Sequence, residues 1–318
     1  MLKILLNIYL IKHMYQKTLK SKINFKGVGL HSGLVANLIV KPAAPNSGIT
    51  FVRVDYKGKE KIIQAHISNA LPAKLCTTIS NKHVSISTIE HLMSALSGMS
   101  IDNAVVEVDS QELPILDGSS KEFAVAIQDV GTTVQSSEKK YIKILKKIIV
   151  KDKDKSISIE PTNKNKLEID YEIDFHDRVI KKQSKKIDLE KNGFMEVYDS
   201  RTFCLQKDLE NIFKMGLAKG GSLENAIVVS EDKVLNQDGL RYKDEFVRHK
   251  ILDCIGDLYL AGYSLIGKVT CYQGGHDMTR KFLEALIKNK NAWNLVTKKN
   301  QNFSSINSYS LNQLVVNL

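Results

Sequence analysis

The chain has 318 residues, 43% apolar and 25% charged, an ordinary globular composition that excludes disordered, collagen-like and membrane-spanning architectures. Its length corresponds to about two domains. Forty-six basic against 35 acidic residues leave a net charge of +11, which suggests an anionic partner, but forty of the basic residues are lysine, a hydrated point charge rather than a bidentate reader of phosphate or base edges.

Residues 4–11 form an apolar run between Lys3 and Lys12 that superficially resembles a signal peptide. The small-residue cleavage site is missing, and the run is far short of the roughly 20 residues that span a bilayer. Residues 1–13 are therefore read as an N-terminal extension, either loose or upstream of a true start at Met14. From there an N-terminal α+β domain is expected over 14–135. It opens with strands at 18–25, 34–40, 49–54 and 62–67 separated by Gly, Pro and Asn turn signals. Ser87 opens a helix carrying Ile89, Leu92, Met93 and Leu96 at helical spacing, stopped at Gly98. A strand at 103–108 follows, then a helix at 120–129 whose Phe123, Ala124 and Ile127 face the sheet.

The polar stretch 131–140 marks the boundary to a C-terminal α+β domain over 141–296. Strands reach to about residue 175, and a Lys-rich connection and a mixed stretch from 194 lead into a long helix at 245–262. A strand at 264–272 and a last helix from Met278 complete the domain. Residues 297–318 form a polar, Asn- and Ser-rich tail. Each half runs strands, helix, strand, helix, which suggests an α+β duplication. The four cysteines, Cys76, Cys204, Cys254 and Cys271, lie far apart without a C-x-x-C pair and read as reduced thiols of a cytosolic protein.

Three segments can carry chemistry. In a helix, His249, Asp253 and Asp257 share one side at i, i+4 and i+8; imidazole and carboxylate one turn apart make a metal-binding pair, or a hydrogen-bonded pair on a solvated face. Ser87-Thr-Ile-Glu90-His91 places a carboxylate beside an imidazole, as metal-assisted hydrolysis needs, yet Ser87-x-x-Glu90 also reads as a capping box. His276 follows two glycines at a strand end, where it is a proton donor or a surface residue. The glycine-flanked His31 reads as architectural.

Together with Gly27-Val-Gly-Leu-His31-Ser-Gly33, Ile101-Asp-Asn103, Pro114-Ile-Leu-Asp117-Gly118-Ser, Ser200-Arg-Thr202-Phe203, Gly220-Gly-Ser222 and Leu240-Arg, these segments resemble the UDP-3-O-acyl-N-acetylglucosamine deacetylases of lipid A biosynthesis, from about residue 15 to about 296. The resemblance implies two similar α+β domains, each a sheet packed on helices, with the helices sandwiched between the two sheets. It implies Zn2+ held by His91, His249 and Asp253, and Glu90 as general base. Thr202 is the implied oxyanion donor, His276 the general acid oriented by Asp257, and Lys250 an active-site cation for substrate or developing charge. Phe203, Leu75, Ile212 and Phe213 are the implied contacts of the 3-O-acyl chain, 203–217 belonging to an insert that forms its passage. Cys76 is marked as a candidate ligand for a second, inhibitory metal ion. The implied reaction is hydrolysis of the N-acetyl group to give UDP-3-O-acyl-glucosamine and acetate, the committed step of lipid A biosynthesis. A monomeric cytoplasmic enzyme of a Gram-negative type cell, with at most peripheral membrane contact and no nucleic-acid partner, is expected. The alternatives are a metal-dependent amidase of the same fold acting on another substrate and, in a different class, a basic nucleic-acid-binding protein.

Overall fold

The structure, a computed structural model, describes residues 14–297; the expected extension at 1–13 and all of the expected tail except Thr297 lie outside them. The first half begins with β1 (Tyr15–Leu19), β2 (Ile23–Val28), β3 (Val35–Pro42), β4 (Ile49–Arg53) and β5 (Ile62–Gln64). The strand expected at 18–25 is thus two strands broken by a turn at 20–22. After the short β6 (Ile79–Ser80) and β7 (Ser85–Ile86) come helix α1 (Glu90–Gly98), β8 (Ala104–Val108) and helix α2 (Lys121–Val130). The main sheet has the order β2-β3-β8-β4-β5. Alternation along β3 and β8 turns Ala36, Leu38, Val40, Ala104, Val106 and Val108 inward, all essentially without exposure, as period-two geometry requires of a one-sided sheet.

The stretch 131–140, read as the boundary, is largely strand: it forms β9 (Thr132–Glu138), which pairs antiparallel with β1. Its polar composition reflects its role, for the Asn103 amide donates to Gln16 and Gln135 and knits the two strands to β8. The second half supplies β10 (Lys140–Ile144), β11 (Ile148–Asp152), β12 (Lys155–Glu160), β13 (Leu167–Asp174) and β14 (Lys182–Asp188). The Lys-rich connection is therefore an edge strand, its charges paired across β13 in Lys182–Glu172 and Lys186–Asp170; lysines on an edge also discourage edge-to-edge association.

Next come β15 (Phe203–Leu205), α3 (Leu209–Lys214), β16 (Ile227–Val229), α4 (Glu245–Leu258), β17 (Ser264–Tyr272), α5 (His276–Lys288) and β18 (Trp293–Thr297). The long β17 organises the second sheet, pairing with β10 along its first residues and with β12 and β13 along the rest, while β18 extends β10. The expected 245–262 helix ends at Leu258 and tightens into a 3-10 turn over Tyr259–Ala261. The last helix starts two residues earlier than expected, at His276. No helix among the described residues is long and apolar enough to cross a membrane.

Helix α2 lies against β2 and α1, whereas α4 and α5 lie against the second sheet. The two layers meet where α1 packs along α4, so this two-domain α+β fold sandwiches its helices between its sheets. The crossing is close because Gly256 has no side chain: a Cβ there would lie 2.1 Å from the Glu90 carbonyl oxygen and 3.0 Å from the Ser94 nitrogen. Gly256→Ala must push the helices apart, at about 1–3 kcal/mol for an overpacked core. Absent the contact, alanine would stabilise a helix interior by up to about 1 kcal/mol. Thermal melting is expected to show a lower Tm for Gly256→Ala; a higher one would refute the close crossing.

Candidate active site

Helix α1 begins at Glu90 and α4 presents His249, Asp253 and Asp257 from three successive turns, all of them buried. The close crossing brings His91 of α1 to His249 and Asp253 of α4. Asp253 Oδ1 lies 3.3 Å from His249 Nε2 and 3.6 Å from His91 Nε2, and among the described residues these three form the cluster able to hold a metal ion. Several observations fit a bound cation. The buried Oδ1 of Asp253 has no hydrogen-bond donor among the described residues, a costly state for a carboxylate oxygen unless something positive meets it. The Ser200 carbonyl, 3.0 Å away, accepts from His249 Nδ1 and leaves Nε2 free to ligate. Burial, aided by Lys250 and His91 and opposed by Asp253, pushes the His249 pKa down to about 3, so the ring is neutral, as a ligand must be. Burial works against ionised Asp253, but the cationic Lys250 and His276 beside it hold the carboxyl below the usual range. Two imidazole nitrogens and one carboxylate oxygen suit a borderline divalent ion with a coordination position left over.

The capping-box reading of Glu90 fails. No side chain caps α1, and the Ser87 hydroxyl donates instead to the Gln111 carbonyl. Glu90 Oε2 accepts from the Thr77 N–H at 3.0 Å, while burial raises its pKa above the ordinary carboxylate value, the condition of a proton acceptor working near neutrality. His276 is not a loop residue but the first residue of α5. Its Nδ1 lies 2.8 Å from Asp257 Oδ2, and its Nε2 lies 3.6 Å from Glu90 Oε1 and 3.7 Å from Asp253 Oδ2. Burial alone would lower the His276 pKa; the carboxylates of Asp257, Glu90 and Asp253 overcome it and raise it to about 9.

Two cavities meet at this cluster. One, of about 430 Å³, runs from His91, His249 and His276 past Thr202 and Phe203 to Leu75, Ile212 and Phe213. The segment 203–217 is built of β15, a 3-10 turn and the short α3, with Phe203, Leu209, Ile212 and Phe213 in the wall of this largely apolar cavity. The other, of about 490 Å³, lies beyond His276 and carries Phe175, Lys155, Lys281 and Gln273. Lys250 lines both, its Nζ donating to Asp253 Oδ2 at 2.6 Å and lying 5.8 Å from the centre of the Phe203 ring.

Other residues at the site lie outside the three segments singled out for chemistry. His31, read above as architectural, is buried in the wall of the apolar cavity, and neither ring nitrogen has a hydrogen-bond partner among the described residues. Its loop is held by the buried Glu112 carboxylate, which accepts from the His31 and Ser32 N–H groups and the Thr88 hydroxyl. Thr77 touches Glu90, Asp257 and His276, although only its neighbour Cys76 is marked by the sequence. Cys76 itself stands outside the metal cluster, its thiol pushed up to about 12 by burial and the Glu90 charge, which disfavours the thiolate a metal needs.

The chain matches the family model for the UDP-3-O-acyl N-acetylglycosamine deacetylases (LpxC) over residues 16–288. It belongs to that family. Proteins named UDP-3-O-acyl-N-acetylglucosamine deacetylase resemble it closely: that of Teredinibacter turnerae is 46% identical over 285 residues, 89% of this chain and 93% of the relative. Those of Shewanella violacea and Haemophilus ducreyi are 44% and 42% identical, with the same shares covered.

Glu245, the first residue of α4, anchors the start of the helix that carries the candidate ligands His249 and Asp253. Its fully buried carboxylate accepts from the Arg201 backbone, from Arg201 Nε and Nη2, and from the Arg241 N–H, beside the Ser200 carbonyl that orients His249. Removing one partner of a buried pair strands the other, at about 3–5 kcal/mol. Glu245→Ala is expected to lose that much in denaturant unfolding and to bind metal more weakly. A loss below about 1 kcal/mol, the worth of a surface pair, would contradict the anchoring role.

Proposed function

We propose that this chain is a zinc-dependent deacetylase that hydrolyses the N-acetyl group of UDP-3-O-acyl-N-acetylglucosamine to UDP-3-O-acyl-glucosamine and acetate, in lipid A biosynthesis. The observation that carries the reading is the buried His91–His249–Asp253 cluster flanked by Glu90 and His276, set between an apolar and a lysine-bearing cavity in a chain of this family. A zinc ion held by those three residues supplies Lewis-acid polarisation of the acetamide carbonyl and lowers the pKa of the attacking water from roughly 15.7 to about 7.

The protein's own groups do the rest. Glu90 takes the proton from the water as it adds to the carbonyl carbon. The Thr202 hydroxyl, in the wall of the apolar cavity, and the Lys250 ammonium stabilise the oxyanion; one such donor is typically worth roughly 10²–10³ in rate. The amine cannot depart as an anion, so His276 Nε2–H protonates it as the C–N bond breaks, and Asp257 keeps that ring charged and oriented. The 3-O-acyl chain lies along Phe203, Leu75, Ile212 and Phe213, and the UDP end along Lys155, Lys281 and the Phe175 ring. Every one of these groups comes from a single chain, so a monomer suffices, and the reaction belongs to the cytoplasm of a Gram-negative type cell.

The test is deacetylation of UDP-3-O-acyl-N-acetylglucosamine by purified protein before and after chelation, with metal content measured on the same sample. Activity should vanish with the chelator and return with about one equivalent of zinc; zinc-loaded but inactive protein would turn the search to another amide. Glu90→Gln is expected to keep the metal and lose roughly 10²–10⁴ in kcat, whereas His91→Ala loses metal and activity together; full zinc occupancy in His91→Ala would overturn the ligand set.

The pH profile follows from the direction of two shifts. Glu90 must be ionised and its pKa is raised, so the acid limb of kcat/KM lies above the ordinary carboxylate range. His276 must be protonated and its pKa is about 9, so activity holds to that pH and falls above it. Asp257→Asn removes the main charge that raises this pKa, and the alkaline limb should move toward about 6.5, the unperturbed imidazole value. A limb that stays in place would exclude His276 as the acid.

A further inference from the structure

Thr77 sits on the loop between Leu75, which has a left-handed backbone (φ 66°), and β6, and belongs to none of the helices that carry the proposed catalytic groups. It is buried and touches three of them. Its N–H donates to Glu90 Oε2 at 3.0 Å, and its carbonyl accepts from the Ile89 N–H at 3.4 Å. Its hydroxyl donates to Asp257 Oδ1 at 2.5 Å, and the same oxygen lies 3.1 Å from His276 Nδ1.

The donor count allows one arrangement. The Asp257 carboxylate only accepts, so the single hydroxyl proton of Thr77 goes to Oδ1 and the hydroxyl oxygen has lone pairs to spare. His276 Nδ1–H is then shared between Asp257 Oδ2 at 2.8 Å and Thr77 Oγ1 at 3.1 Å. The ring is held by two acceptors on one edge, which aims Nε2 toward Glu90 Oε1. Proton transfer tolerates little misplacement, and errors of about 1 Å cost on the order of 10²-fold in rate.

We propose that Thr77 is the positioning residue of the reaction: its backbone holds the base Glu90, and its hydroxyl closes a triangle with Asp257 and His276 that fixes the acid. The two functions use different atoms and can be separated. A side-chain substitution leaves the N–H bond to Glu90 in place and deletes only the hydroxyl's bonds to Asp257 and His276. Thr77 itself reaches neither cavity containing the proposed substrate subsites, so its loss should leave substrate binding alone.

The inference rests on the deacetylase reading, and its test is steady-state kinetics of the zinc-loaded full chain on UDP-3-O-acyl-N-acetylglucosamine. Thr77→Val is expected to lower kcat by about 10–100-fold, part of the roughly 10²–10⁴ that a general acid contributes, with KM and metal content unchanged. Thr77→Ser, which keeps the hydroxyl, should recover most of that loss. A double-mutant cycle with Asp257→Asn separates positioning from general weakening. If Thr77 acts through Asp257, the valine adds little once Asp257 is gone, because groups in one hydrogen-bond network are not additive. Should Thr77→Val fail to fold, Thr77→Ala takes its place in the cycle. A kcat equal to wild type, no rescue by serine, or full additivity would each overturn the proposal while wild-type activity left the deacetylase reading intact. Wild-type protein without activity would instead sink that reading and this one with it.

Discussion

The close crossing of α1 and α4 at Gly256 is the constraint on which the site depends. Glu90 and His91 belong to the first half of the chain and His249, Asp253 and Asp257 to the second, and neither set contains enough ligands or proton carriers to do chemistry alone. A Cβ at Gly256 would meet the carbonyl of Glu90 itself, so the backbone of the proposed base touches the helix that bears two of the proposed metal ligands. Close-packed interiors transmit such contacts with little give. Position therefore passes from helix crossing to side chain through short, stiff paths, to which the Thr77 loop adds its bonds to Glu90, Asp257 and His276.

Burial then sets the electrostatics. Glu90, Asp253 and Asp257 lie together in a space nearly closed to water, an arrangement that like charges oppose. Lys250 and His276 answer part of that charge: Lys250 is bonded to Asp253 and His276 to Asp257. His249 is pushed toward neutrality and Glu90 toward its acid form, while Asp253 is held ionised with one oxygen lacking a donor among the described residues. The shifts run in opposite directions within a few ångströms, the pattern by which one small site keeps an acid and a base together. The divalent cation proposed above would supply the charge that this balance lacks.

The helices are the legible part of the sequence. Apolar residues at helical spacing outline α1, α2 and α4, and the i, i+4, i+8 spacing of His249, Asp253 and Asp257 assigns them to one helix face, where the structure has them. Polar strands are illegible because their polarity has causes outside the strand. β9 is polar because Gln135 completes the Asn103 network, and β14 is lysine-rich because its partners on β13 are acidic. Glu90 is ambiguous for a related reason. Serine three residues before glutamate describes a cap equally well, and the Thr77 N–H and the Gln111 carbonyl, both distant in sequence, decide between them.

Thr77, His31 and Glu112 share a further reason for being hard to read: each acts from a loop whose shape no local periodicity encodes. The backbone supports this division of labour. Leu75, Thr88 and Gln273 have positive φ values of 66°, 56° and 49°, a region that costs non-glycine residues of order 1–3 kcal/mol each. They lie two residues before Thr77, two before Glu90 and three before His276. The proposed reactive groups themselves stand on helices or are bonded to them, and these three strained residues lie in the turns before α1 and α5 and in the Thr77 loop. An unstrained helix can hold a side chain only where its axis and phase put it. Such turns precede α1 and α5 but not α4, whose place relative to Glu90 is set by the packing at Gly256.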